Sequence, residues 1–319
     1  MAGRRGGLPL NLPPTLFVLG PTAVGKTQFA IDLARQVNGE IINADSRQVY
    51  RHMDIGTAKP TAAERAQVPH HLLDLMPPDR NFSLGAFLSL ASQAMGEIAG
   101  RGRRPLVVGG TGQYLWALQE GWEVPEVAPD EDFRRACQDL ADREGLEALH
   151  RQLRELDPER AAELDARNLR RVIRALEIHH ATGRLPSSYR KKDHRRLPSL
   201  VVGLTLERPA LYHRIDRRVD RMLADGFLAE VERLAALGYT LGAGPLACPG
   251  YRDLGQHLAG QISLAQAVQQ TKYGTHRLAR RQHAWFRPSD PRIHWLAADS
   301  PDLVEQGLAL AARPPLGWG

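Results

Sequence analysis

Gly20, Pro21, Thr22, Ala23, Val24, Gly25, Lys26 and Thr27 in succession fit the pattern G-x-x-x-x-G-K-[ST], a spacing suited to gripping phosphate. The glycines let the backbone curl so that consecutive N–H groups converge on phosphate oxygens, and a following helix adds positive potential at its N-terminus. Lys26 supplies a cation for the terminal phosphate, and the Thr27 hydroxyl is placed to ligate Mg²⁺. Asp45 is the candidate base. It closes the run E-I-I-N-A-D, and ligands of open α/β sheets bind beyond the carboxyl ends of the strands. Taken alone, Asp45-Ser46 is equally suited to starting a turn. A second glycine run, Gly109-Gly110-Thr111-Gly112, offers N–H donors and the Thr111 hydroxyl, or simply a closely packed strand-to-helix turn. Asp74 in H-H-L-L-D-L reads either as a metal contact through water or as a loop cap, and receives no role.

These groups need strands that feed helices. Thr15–Leu19 (T-L-F-V-L) reads as a buried strand leading into the glycine loop. From Gln28 onward, Phe29, Leu33 and Val37 recur at helical spacing until Asn38-Gly39 supplies a stop. Further strands are expected at Glu40–Asp45, His71–Leu75, Leu106–Gly109, Leu200–Leu206 and Ile293–Leu296, with helical patterns between most of them. Such alternation predicts an α/β fold, a phosphate-loop parallel sheet flanked by helices. Between Gly121 and Pro198 the strands stop and Glu, Arg, Leu and Ala dominate, so the expected layout is a core over 1–120, a helical insertion over 121–197 and the rest of the core over 198–319.

Composition narrows the class. The 319 residues carry 42 Lys and Arg against 36 Asp and Glu, a net charge of +6, and 43% of them are hydrophobic, which is ordinary for a globular enzyme. No apolar run approaches the roughly 18 residues of a membrane helix, and the N-terminal stretch M-A-G-R-R-G-G-L-P-L reads as a tail without a secretory core segment. Cys137 and Cys248 are too few for a disulfide framework or a four-thiolate zinc site. A reducing, cytoplasmic setting is expected.

Arginines gather at helical spacing in three places: Arg167, Arg170, Arg171 and Arg174; Arg214, Arg217, Arg218 and Arg221; and Arg277, Arg280 and Arg281. The first group lies over an apolar face of Leu169, Val172, Ile173 and Leu176. One such stripe alone reads as a solvated face. Three, with the basic connector R-K-K-D-H-R-R that ends at Arg196, suit a polyanion longer than a nucleotide and point to RNA or DNA. Trp116, Trp122, Trp285 and Phe286 are available for stacking on bases, although aromatics at helical positions more often fill a core.

The order of the motifs carries more than any one of them. G-P-T-A-V-G-K-T, I-I-N-A-D-S-R-Q-V-Y, M-D-I-G-T-A-K-P, H-H-L-L-D, V-V-G-G-T-G-Q-Y, R-A-L-E-I, the arginine helix after Leu211, G-Y-R and R-L-A-R-R-Q-x-x-W-F-R follow one another from Thr15 to Leu296. This series resembles the tRNA dimethylallyltransferases of bacterial type. The resemblance implies transfer of a dimethylallyl group from dimethylallyl diphosphate to N6 of adenosine 37, in tRNAs reading codons that begin with U, by a monomer that uses Mg²⁺. It also implies roles for residues. Asp45 would hold and deprotonate the amine; Lys26, Thr27, Thr111 and Arg218 would surround the diphosphate and its metal. Asp45, Ser46, Arg47, Gln48 and Thr111, then Arg134 and the block Arg170, Arg171, Val172, Ile173 and Arg174, would line the tRNA. So would the stretch from Ala247 through Gly250, Tyr251 and Arg252, and the stretch from Thr275 through Arg277, Arg280 and Arg281 to Gln282. Cys248-Pro249 departs from the aliphatic residue usual before Gly-Tyr, and no cysteine–histidine finger follows Leu296.

Chemistry agrees with that resemblance. An aromatic amine is a poor nucleophile, so its alkylation depends on positioning, proton removal and stabilisation of the departing diphosphate. Lys26 and Thr27 by themselves equally suit a phosphate-loop kinase of a small metabolite, which is the rival enzyme. An RNA-binding module with a nucleotide switch and a transferase acting on free AMP are the other readings.

Overall fold

The computed structural model describes residues 12–125, 127–190 and 197–317. The expected N-terminal tail up to residue 11 and the connector residues 191–196 lie outside them. The described residues form two compact units, one of 120–190 and one of the residues on either side of it. No described helix is long and apolar enough to cross a membrane.

In chain order the elements are β1 (Thr15–Leu19), α1 (Lys26–Gln36), β2 (Gly39–Asn43), α2 (Ala62–Gln67), β3 (His70–His71), α3 (Leu84–Gly100), β4 (Arg104–Gly109) and α4 (Gly112–Glu120). The helical unit contributes α5 (Glu131–Glu144), α6 (Leu146–Leu156), α7 (Pro158–Ala162) and α8 (Leu169–Thr182). The chain returns with β5 (Ser199–Thr205), α9 (Arg208–Ala224), α10 (Phe227–Ala236), α11 (Tyr251–Leu258), α12 (Leu264–Trp285), β6 (Ile293–Ala297) and α13 (Leu303–Ala311).

The strands form one six-stranded sheet in the order β3-β2-β4-β1-β5-β6, and every pairing is parallel. Every residue of β1 and β2 is buried, which is why neither strand alternates apolar with polar, although β2 buries Glu40 and Asn43 along with Ile41 and Ile42. Phe29, Ile31 and Leu33 of α1 join Leu16, Val18, Leu106 and Val202 in the main core. Register then places the chemistry. Leu19 lies opposite both Gly109 and Gly203, and Asn43 lies opposite Val108, so the loops after β1, β2 and β4 all leave from one carboxyl edge.

Two expected strands are shorter than read. In place of His71–Leu75 there is only His70–His71, because Leu72 (φ 63°) and Asp74 (φ 56°) take the left-handed conformation, which no strand accommodates. The strand expected to end at Asp45 ends at Asn43. There the Asn43 amide donates to Leu72 O at 3.1 Å and accepts the Asp45 N–H at 3.1 Å, turning the chain over the sheet edge.

The helical unit has its own core of Leu149, Leu153, Val172, Ala175 and Leu176, with Cys137 among them. Its buried carboxylate, Glu177, takes the Asp130 N–H at 2.8 Å, the Arg134 guanidinium at 2.8 Å and that of Arg174.

Candidate active site

The phosphate loop owes its shape to three positive-φ residues. Gly20 (φ 145°) passes so close to β5 that a Cβ would stand 2.6 Å from Leu204 O, and Gly25 (φ 111°) opens α1. Ala23 takes φ 64° between them, a conformation that costs an L-residue energy and that tertiary packing must hold. No side chain caps α1, so the amides of its first turn face the loop unspent. Lys26 Nζ donates to Gly20 O at 3.0 Å and Pro21 O at 2.8 Å, which folds the ammonium back over the loop. Gln282 clamps the assembly: its Oε1 accepts the Thr22 N–H at 2.8 Å and its Nε2 donates to Gly110 O at 3.0 Å.

Asp45 stands half-buried at the start of a tight turn in which Oδ1 accepts the Arg47 N–H at 2.8 Å. The turn is tied to the β4–α4 junction by the Ser46 N–H, which donates to Thr111 Oγ1 at 3.0 Å. The Thr111 hydroxyl, expected around the diphosphate, is thus engaged in shaping the Asp45 turn. Burial pulls the Lys26 ammonium down to about 8, against the raising effect of Asp45 and with a further lowering by Arg218. Burial likewise lowers the Arg218 guanidinium, and Asp45 again opposes it. The three charges therefore act on one another across a single space. That space is a cavity of about 930 Å³, with Lys26, Thr27, Asp45, Gln48 and Arg218 in its walls.

The second arginine stripe belongs to the same cavity. Arg214, Arg217, Arg218 and Arg221 of α9 all line it. The opposite side of the helix is tied to α12 by the Asp220–Lys272 ion pair at 2.6 Å, with Asp216 lying 2.9 Å from His276. Arg214 also donates to Val24 O at 3.2 Å.

Other residues carried over from the motifs divide by orientation. Val172 and Ile173 are buried in the helical unit, so of that block only Arg170 and Arg171 extend into solvent, with no carboxylate paired to either among the described residues. Arg134 and Arg174 are tied to Glu177, and Arg174 also donates to Val127 O at 3.0 Å. Tyr251 is fully buried, Gly250 N–H is held by Asp253 at 3.0 Å, and Arg252 pairs with Asp253 at 2.7 Å. Thr275 bonds back to Thr271 O at 2.8 Å; Arg277 and Arg281 are exposed, and Arg280 donates to the Tyr212 hydroxyl at 3.0 Å. Trp116 and Phe286 are core residues, packed edge to face at 6.3 Å, with Arg292 over the indole.

Two groups receive no role from the motifs, although Lys59 lies in M-D-I-G-T-A-K-P. Lys59, whose ammonium is wholly buried, pairs with Asp74 at 2.6 Å and with Asp54; Asp74 also takes Arg65 at 2.9 Å. Asp74 is therefore a structural anchor of the loop between β2 and β3. Glu230 is the second group, a buried carboxylate on α10 whose sequence neighbours Phe227, Val231 and Leu234 mark only a helix face turned inward.

A phosphate loop, an arginine helix and a carboxylate lining one cavity on a parallel sheet suit a protein that handles a phosphorylated substrate. The family model for IPP transferases matches residues 48–289, and the chain belongs to that family. It is 49% identical over 300 residues to a tRNA dimethylallyltransferase of Roseiflexus sp. (strain RS-1), covering 94% of this chain and 98% of that one. It is 44% identical over 308 residues to the Dehalococcoides mccartyi (strain 195) tRNA dimethylallyltransferase, covering 97% of this chain and 94% of that one. Among crystal structures, a tRNA isopentenylpyrophosphate transferase from Bacillus halodurans aligns with a TM-score of 0.69 at 38% identity, over 94% and 95% of the two chains. A eukaryotic dimethylallyltransferase described as acting on tRNA aligns with a TM-score of 0.78 at 28% identity, over 94% of this chain and 78% of that one.

Proposed function

We propose that this enzyme transfers the dimethylallyl group of dimethylallyl diphosphate to N6 of adenosine 37 in tRNAs that read codons beginning with U. It acts as a monomer in the cytoplasm, where its tRNA substrate resides. The observation that carries this reading is the shared cavity, in which Lys26, Thr27, Arg218 and Asp45 face one another.

The N6 lone pair attacks C1 of the allyl group as the C1–O bond breaks, its electrons leaving with diphosphate. The N6 proton passes to the Asp45 carboxylate. Lys26, Arg218 and the amides of the α1 terminus would meet the negative charge that grows on the leaving oxygens, and such fixed donors act most strongly where water is excluded. The base must unstack to enter, a cost of about a few kcal/mol that phosphate contacts along the exposed arginines offset.

Thr27 would hold Mg²⁺. Among the described residues no cluster of three His, Cys, Asp or Glu side chains is built to hold a metal, which fits an ion that takes most of its ligands from substrate phosphate and water. Such an ion would neutralise charge on the departing diphosphate.

A kinase would use the same phosphate loop, so the first experiment offers both chemistries. Incubated with labelled ATP, dimethylallyl diphosphate and an anticodon stem-loop, the enzyme should prenylate the RNA and leave ATP intact. ATP consumption without prenylation would reject the proposal.

Two further outcomes follow from the charges. Because burial pulls the Lys26 ammonium down to about 8, its charge is full only well below that pH and is lost as pH rises through it. kcat/KM for dimethylallyl diphosphate should therefore fall through about pH 8 as pH rises; a profile flat to pH 10 would contradict the role of the ammonium. Arg170→Ala and Arg171→Ala should each weaken tRNA binding and flatten its salt dependence by up to about one unit of log–log slope. An unaltered slope would return this face of α8 to mere solvation.

A further inference from the structure

Glu230 is buried to 1% exposure, yet no cation pairs with it among the described residues. Its partners are donors. Oε2 accepts the N–H groups of Asp54 (3.0 Å) and Ile55 (2.7 Å), and Oε1 accepts the Gly56 N–H (3.1 Å) and the Tyr251 hydroxyl (2.6 Å). Burial and the adjoining carboxylate hold the Tyr251 phenol well above its ordinary range, so it remains a donor. A carboxylate is kept from water only when such bonds compensate it, and here they fix one piece of backbone.

That backbone opens the loop Asp54–Lys59. It lies directly on α10, since a Cβ at Gly56 would stand 2.2 Å from the Phe227 ring. Asp54, Ile55, Thr57, Ala58 and Lys59 then form a wall of the cavity. The Gln48 amide donates to Thr57 O at 3.1 Å and Ala58 O at 3.0 Å, and the Lys59 ammonium donates to Tyr50 O at 2.7 Å. Gln48 belongs to the turn that Asp45 begins, and Tyr50 directly follows it, bridged to Met76. A continuous series of bonds thus runs from α10 through the loop to the candidate base.

We infer that Glu230, together with Tyr251, is a positioning residue of the transfer reaction: through the Asp54–Lys59 loop it holds the Asp45 turn where the carboxylate meets the amine. The inference rests on Asp45 acting as the base. It gives Tyr251, a residue of the G-Y-R motif, a partner inside the protein.

Steady-state kinetics on folded Glu230→Gln, Tyr251→Phe, Gln48→Ala and the Glu230→Gln/Gln48→Ala double variant test it, with Asp45→Asn alongside. Glu230→Gln keeps the shape but has one oxygen to serve four donors. It should lower kcat about 10- to 100-fold while KM for dimethylallyl diphosphate stays within about twofold. Tyr251→Phe should lose a few-fold in the same sense. Gln48→Ala should resemble Glu230→Gln, and the double variant should lose no more than the worse single one, because both act through one loop. Wild-type kcat in Glu230→Gln and Tyr251→Phe, or losses that multiply in the double variant, would overturn the inference. Should Glu230→Gln fail to fold, wild-type kcat in Tyr251→Phe and Gln48→Ala overturns it equally. Wild-type turnover by Asp45→Asn would instead remove the assignment of the base. An inactive Asp45→Asn beside a fully active Glu230→Gln would remove only the positioning role.

Discussion

Asp45→Ala is expected to lower kcat for prenyl transfer by about 10² to 10⁴, the range usual for a general base, with little change in affinity for dimethylallyl diphosphate. The split follows from geometry. Asp45 starts the turn beyond β2, whereas the amides and ammonium suited to phosphate belong to the loop after β1 and the first turn of α1. The Arg47 N–H loses its acceptor in the variant, but Ser46 still donates to Thr111 and the Asp45 N–H to Asn43, so the turn keeps ties that do not use the carboxylate. Single-turnover rates with saturating diphosphate substrate read the chemical step directly. A rate near that of the wild type would remove Asp45 from the reaction.

Lys26→Ala is the second large effect. A fixed donor on developing charge is worth about 10² to 10³ in kcat, and Lys26 also contacts charge already present on the bound substrate. Both kcat and substrate affinity should therefore fall, in contrast to Asp45→Ala. Isothermal titration with a non-reacting prenyl diphosphate analogue, set beside turnover, separates the two variants. Undiminished affinity together with undiminished kcat would mean that the ammonium, bonded to Gly20 O and Pro21 O, serves only to shape the loop.

The parts legible in the sequence are those fixed by local pattern. β1 and the phosphate loop could be read because a buried parallel strand is a continuous apolar run and because only glycine easily takes the φ found at Gly20 and Gly25. The α9 stripe was legible from spacing alone, and α9 does turn its arginines to the cavity. Within the block Arg170 to Arg174, periodicity separates side chains that the motif takes together. The apolar pattern of Leu169, Val172, Ile173 and Leu176 marks an inward face, and Val172 and Ile173 do point inward although the motif block includes them. The H-H-L-L-D-L run misleads because left-handed backbone at Leu72 and Asp74 leaves no trace in hydrophobicity.

Partnerships across long separations could not be read at all. Gln282 bonds Thr22 over 260 positions, and Glu230 bonds Ile55 over 175. The neighbours of Glu230 mark an inward helix face and Gln282 belongs to a motif, but neither pattern names the distant partner. Only the fold brings the amide to the phosphate loop and the carboxylate to the cavity wall.

Diphosphate departure and alkylation of the amine are expected to be one event in one cavity. The most direct measurement follows diphosphate release and nucleoside masses together during multiple turnovers on an anticodon stem-loop carrying adenosine 37. One diphosphate released per N6-dimethylallyl adenosine formed is the expected result. Diphosphate released without modified adenosine, or modification at any other nucleotide, would contradict it.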